Sequence, residues 1–116
     1  MQDCKEVHQH QCREGNEPSG QQLTLTAALF KALGDPARLA LLYRISSSER
    51  CVGELVSGDE KLSTVSARLQ TLLNANLVVR RRDSRHLYYR LADQHVFELI
   101  ENALAHANET NVTKGV

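Results

Sequence analysis

The sequence predicts a mainly α-helical fold that carries a single β-hairpin. Three observations predict it. Apolar residues recur at helical spacing, as in Leu25, Leu29 and Leu33 and again in Leu62, Val65, Leu69 and Leu72. Helix-boundary residues punctuate those runs, above all Gly34, Asp35 with Pro36, and Gly58. One stretch, "LVVRRRDSRHLYYRL", has the β-branched and aromatic residues of two strands around a polar turn. The chain has 116 residues, 41% hydrophobic and 24% charged, with two prolines and six glycines. That is the make-up of one globular domain with a modest core, not of a disordered segment.

Each element follows in order. The first helix is predicted from about Gln22 to Leu33, with Ala28 and Ala32 beside the leucine stripe and Gly34 ending it. In "DPARLALLYRIS", Asp35 suits an N-cap and Pro36 the first helical position, ahead of an apolar face of Leu39, Leu42 and Tyr43. "CVGELVSG" predicts a helix of about two turns that stops at Gly58. A further helix is predicted from about Leu62 to Ala75, with Leu62, Val65, Leu69 and Leu72 as its buried stripe. The hairpin comes next, and "LADQHVFELIENALAHANET" closes the chain as a last helix.

Two short helices joined by a tight turn near Gly58 have the outline of a helix-turn-helix. Opposite its apolar stripe, the second of them shows Ser63, Thr64, Ser66, Ala67, Arg68 and Gln70. Small hydroxyls let a helix lie close in a DNA major groove, while Arg68 and Gln70 are suited to bidentate contacts with base edges or to phosphates. The hairpin tip carries Arg81, Arg82 and Arg85, which makes this the winged variety, its wing set along the phosphate backbone or in the minor groove. His86 is expected on the wing as a phosphate contact or an exposed ring. Net charge is zero, yet Lys61 to Arg90 holds seven Lys or Arg against Asp83 alone, a local +6 offset by −6 elsewhere. Such asymmetry marks a basic surface turned to a polyanion.

Other classes fit poorly. No apolar run approaches the roughly 20 residues that span a bilayer. The opening "MQDCKEVHQHQCREGNEPSG" lacks the basic start and apolar stretch of a signal peptide, so the chain is expected in the cytoplasm, without a membrane partner. Three cysteines cannot all pair within one chain and are read as thiols or metal ligands. The sequence has neither a glycine-rich phosphate loop nor an HExxH spacing, and no enzyme is predicted.

The segments "KALGDPARLALLYRI", "ERCVGELV", "KLSTVSARLQTLLNANLVVRRRDSRHLYYRL" and "DQHVFELIENALAHANE" resemble the ArsR/SmtB family of metal-responsive repressors, and its cyanobacterial zinc-sensing branch in particular. The likeness runs from about residue 25 to residue 109. It implies a winged-helix homodimer that represses metal-export or sequestration genes on double-stranded operator DNA and leaves the DNA when metal binds.

Two constellations carry metal-capable side chains. On the last helix, His95 and His106 are eleven residues apart. Helix geometry puts them on one face but about 16 Å apart, so one ion cannot touch both. If two such helices pack antiparallel about a two-fold axis, Asp93 and His95 of one chain meet His106 and Glu109 of the other. The 4, 3, 4, 3 advance from His95 through Leu99, Asn102 and His106 to Glu109 is the seam of a helix pair. Asp93 is expected at the helix start. Two imidazoles and two carboxylates suit tetrahedral Zn(II), with Co(II) as a surrogate, and the resemblance implies the same four positions. The second constellation is "CKEVHQHQC", with Cys4, His8, His10 and Cys12. This thiolate and imidazole set favours zinc, cadmium, lead or copper(I). The resemblance implies that an arm cysteine and histidine join Cys51 and the residue three further on across the dimer. Here that residue is Glu54, where similar sensors have an aspartate. His10 and Cys12 are additional to that pattern; both could bind or could replace the Glu54 contact.

The expected organisation is therefore a flexible metal-binding arm over 1–20, a DNA-binding and dimerisation domain over 21–110, and a tail over 111–116. Two other readings stay open: a cytoplasmic metal-buffering or delivery protein whose basic hairpin is incidental, and a winged-helix regulator sensing oxidation through Cys4, Cys12 and Cys51.

Overall fold

The computed structural model describes residues 16–115. The elements are α1 (Gly20–Leu33), α2 (Pro36–Arg44), β1 (Arg50–Cys51), α3 (Val52–Leu55), α4 (Leu62–Asn74), β2 (Val78–Asp83), β3 (His86–Leu91) and α5 (Gln94–Gly115). Among the described residues, no helix is long and apolar enough to cross a membrane.

Local signals start the helices. Ser19 and Gln22 form a reciprocal capping box at α1: Gln22 N–H donates to Ser19 Oγ at 3.1 Å, and Ser19 N–H to Gln22 Oε1 at 2.8 Å. Asp35 Oδ2 accepts the Arg38 N–H at 3.0 Å, and Pro36 opens α2. The Arg38 side chain then turns back, its Nε donating to the Ala32 carbonyl at 2.7 Å and its Nη2 to that of Lys31 at 3.3 Å. The Ala32 carbonyl, which Pro36 cannot serve, is thereby satisfied, the Lys31 carbonyl gains a second donor beside the Gly34 N–H, and the turn between α1 and α2 is fixed.

The core lies where α2, α3, α4 and the sheet meet. Leu42, Ile45, Leu55, Val65, Leu69, Leu72 and Leu77 are fully buried, and Val78, Tyr89, Val96 and Ile100 close over them from β2, β3 and α5. The strand order is β1-β3-β2, all antiparallel. Asp83 pairs with His86, which leaves Ser84 and Arg85 as a two-residue turn with Ser84 at φ 63°.

Several sequence expectations are corrected. The helix expected to end at Gly58 is four residues long and stops at Leu55. Arg44 takes the carbonyls that a continuing helix would have bonded, with Nη1 on Leu55 at 3.0 Å and Nη2 on Glu54 at 2.8 Å. Gly58, at φ 60°, sits in the turn beyond. The strand β1 was not expected; it exists because Arg50 and Cys51 pair with Tyr89 and Tyr88 on the wing. Leu62 opens α4 beyond the core and is 53% exposed, so the buried stripe begins at Val65. Leu25 and Tyr43 are also exposed, because α1 packs only through Leu29, Ala32 and Leu33, and Leu41 takes the place in α2 expected of Tyr43.

Candidate nucleic-acid interface and metal-ligand positions

The outer face of α4 is polar and open. Ser63, Thr64, Ser66, Ala67 and Gln70 are exposed there, and Gln70 Nε2 donates to Asn74 Oδ1 at 3.0 Å, one turn further on. Asn74 extends this face and was not expected in it; its four-residue spacing from Gln70 was the available signal. Arg68 is placed differently. Being one residue from Leu69 and three from Val65, it lies on the flank of α4 rather than opposite the stripe. It is half-buried, with Nη1 2.7 Å from Glu60 Oε2. Glu60 is anchored from behind, since the Ser57 N–H and hydroxyl donate to its Oε1 at 3.3 and 3.4 Å. The hydrogen bond from Arg68 is the main cause that holds the Glu60 carboxyl below its ordinary range, helped by Ser57.

The wing divides its arginines into two kinds. Arg82 and Arg85 are exposed near the turn, and among the described residues no ion pair involves either. Arg81 is not at the tip: it lies within β2 opposite Tyr88, because the turn takes only two residues. Its Nε and Nη2 donate to Glu49 Oε2 and Oε1 at 2.9 and 2.8 Å, a bidentate pair. Its guanidinium carbon also sits 4.7 Å from the Tyr88 ring centroid, within range of a cation–π contact. These bonds lower the Glu49 carboxyl pKa and raise that of the Arg81 guanidinium. Two charges of the basic run are thus offset by acids outside it. Glu49 and Glu60 were missed as members of this surface, although Ser57 with Glu60 reads as a capping-box spacing. His86 is exposed, its ring centroid 6.1 Å from that of Tyr88.

At the start of α5, Asp93 Oδ1 accepts the Val96 N–H at 3.1 Å. The same carboxylate's Oδ2 lies 3.6 Å from His95 Nδ1, and the His95 side chain is 91% exposed. His106 and Glu109 are exposed further along the helix. Among the described residues of a single chain, no three His, Cys, Asp or Glu side chains gather at one point. Cys51 is half-buried at the N-cap of α3, and its N–H donates to Glu54 Oε1 at 2.9 Å, so Glu54 has a capping duty beside that sulfur. Cys4, His8, His10 and Cys12 lie outside the described residues.

No protein-family model matches the chain. Individual relatives do: over 108 residues it is 36% identical to the transcriptional repressor SmtB homolog of Synechocystis sp., covering 90% of this chain and 82% of the relative. The chain belongs to the ArsR/SmtB family of repressors. A second ArsR/SmtB relative is the cadmium resistance transcriptional regulatory protein CadC homolog of Staphylococcus aureus, 30% identical over 106 residues, 89% of this chain and 88% of that one. The fold agrees with a solved structure, the homodimeric winged helix-turn-helix DNA-binding domain from Mycobacterium bovis. That comparison has a TM-score of 0.72 at 32% identity, covering 80% of this chain and 90% of that one. As an ArsR/SmtB member with a winged-helix domain, the protein is a transcriptional repressor and not an enzyme.

Proposed function

We propose that this repressor is metal-responsive: it binds operator DNA as a homodimer in the cytoplasm and leaves it when Zn(II), or a related ion such as Cd(II), Pb(II) or Co(II), is bound. Genes for export or sequestration of that metal are then expressed. The observation that carries the reading is the pairing of Asp93 Oδ2 with His95 Nδ1 at 3.6 Å on the exposed start of α5. The capping bond to Val96 fixes the Asp93 carboxylate, so two donors of one ion are already side by side. His106 shares their face three turns on, about 16 Å along the axis.

A second chain supplies the other half. Phe30 of α1 and Leu104 of α5 are exposed apolar residues in one chain; Leu39, Tyr43, Ile100 and Leu104 line an apolar hollow between α2 and α5, and Phe30 adjoins it beside Leu39, Leu99 and Ile100. A partner covering this side with its own α5 antiparallel brings its His106 and Glu109 against Asp93 and His95. Two equivalent sites of two imidazoles and two carboxylates result, a donor set that fits tetrahedral zinc. Cys4, His8, His10 and Cys12 of the arm, with Cys51 and Glu54, form the second set, with thiolates that favour softer ions, Cu(I) included. Release then requires only that metal and DNA favour different arrangements of the dimer, a coupling of about 1 to 3 kcal/mol.

The test joins a His95→Ala chain and a His106→Ala chain in one heterodimer through separate affinity tags, with the arm cysteines replaced. One site loses both imidazoles, while the other keeps a full ligand set. The heterodimer is expected to hold one zinc tightly where neither mutant homodimer does, a loss well above the roughly 10- to 100-fold of outer-shell changes. A heterodimer no better than the homodimers overturns the shared site.

A further inference from the structure

Two of the arginines that a winged helix would offer to DNA are already engaged within the chain. Glu49 meets Arg81 through two parallel bonds of 2.8 and 2.9 Å, the fork geometry with which arginine also grips phosphate. Glu60 meets Arg68 at 2.7 Å and is itself tethered by Ser57, so the carboxylate stays in place when the arginine moves. Neither glutamate lies in the core: side-chain exposures are 27% for Glu49 and 35% for Glu60, which leaves both pairs within reach of an approaching polyanion.

We propose that Glu49 and Glu60 are intramolecular competitors of DNA phosphate: each carboxylate occupies a guanidinium that DNA has to win from it, which restrains sequence-independent binding. The inference rests on the DNA-binding reading of α4 and the wing. Phosphate contacts are the same on every sequence and supply nearly all non-specific affinity. Each arginine held by a carboxylate removes one such contact, or makes DNA exchange one anion for another at little net gain. Arg82 and Arg85 remain available to phosphate, and the outer face of α4 remains available to bases. The basic surface therefore binds arbitrary DNA more weakly than its count of arginines implies.

The test measures binding of a fluorescent mixed-sequence duplex by the full-length homodimer across a range of salt. It compares the native chain with Glu49→Gln, Glu60→Gln, Arg81→Ala and the Glu49→Gln, Arg81→Ala double variant, each checked for native helical content by circular dichroism. Glutamine keeps the shape and the acceptor oxygen but drops the charge. Each glutamine variant is expected to bind about two- to five-fold tighter per subunit, the range spanned by exposed ion pairs. Its salt slope should steepen by about one for each additional phosphate that the freed arginine neutralises. The tighter binding of Glu49→Gln should vanish when Arg81 is absent. Tighter binding that survives Arg81→Ala reflects simple charge repulsion and overturns the proposal, as does unchanged or weaker binding by folded glutamine variants. A native chain that binds no duplex even at low salt refutes the DNA-binding reading itself, and the competition with it.

Discussion

Leu77 donates its backbone N–H to the carbonyl of Leu72 at 3.0 Å, and both side chains are fully buried. Between them Asn76 stands at φ 61° and donates its own N–H to Leu73 at 3.0 Å. This is a Schellman ending, complete with its apolar contact across the turn. It stops α4 and launches β2 two residues later, so the angle between α4 and the wing is set here. Ala92 strengthens the joint by donating to the Leu77 carbonyl at 3.0 Å.

Asn76 is accordingly the residue to change. Asn76→Gly should leave stability equal or slightly higher, because glycine accepts a left-handed backbone without strain. A β-branched replacement is much worse suited: Asn76→Val should cost about 1–2 kcal/mol, read as a lower urea midpoint at an unchanged slope. Equal midpoints for the glycine and valine variants would contradict the ending described.

Acid should release the Arg68 pair. The Glu60 carboxyl is held below its ordinary value of 4.5, chiefly by its bond to Arg68. A depressed carboxylate stabilises the fold fully above that ordinary value and loses its contribution as pH falls through the lower folded value. The difference in melting temperature between the native chain and Glu60→Gln should stay constant from pH 7 to about pH 5 and shrink on further acidification. High salt should shrink it too, as for any exposed pair. A difference that widens in acid would show that Arg68 is not what holds this carboxyl.

Arg82 and Arg85, at the tip of the wing and without an ion pair among the described residues, should behave as phosphate ligands. Arg82→Ala combined with Arg85→Ala is expected to weaken binding to every duplex alike and to flatten the salt dependence by about one for each phosphate left without its arginine. Gln70→Ala should change the ranking of DNA sequences while leaving that slope alone, because base contacts release few counterions. The check is a set of salt titrations on several unrelated duplexes. Slopes unmoved by removal of both arginines would exclude the hairpin from the DNA interface.

What the sequence alone determined is what short-range chemistry controls. Asp35 with Pro36, the leucine spacing of α4, the polar turn of the hairpin and the eleven-residue histidine spacing each act within a few turns of backbone, and each can be read without knowing what lies opposite. The family likeness was legible for the same reason, since its segments are continuous. The tertiary structure decided whatever needs a distant partner. Arg81 was grouped with Arg82 and Arg85 by sequence, but Glu49, 32 residues away, separates it from them. Arg50 and Cys51 form a strand only because the edge of β3 offers unpaired backbone groups there. Arg44 shortens α3 by taking carbonyls ten and eleven residues along the chain. A charged side chain binds the nearest suitable opposite charge in space, and a backbone group the nearest open partner. Neither distance is a function of sequence separation, so local pattern gave the elements while the packed chain determined which arginines remain available for DNA.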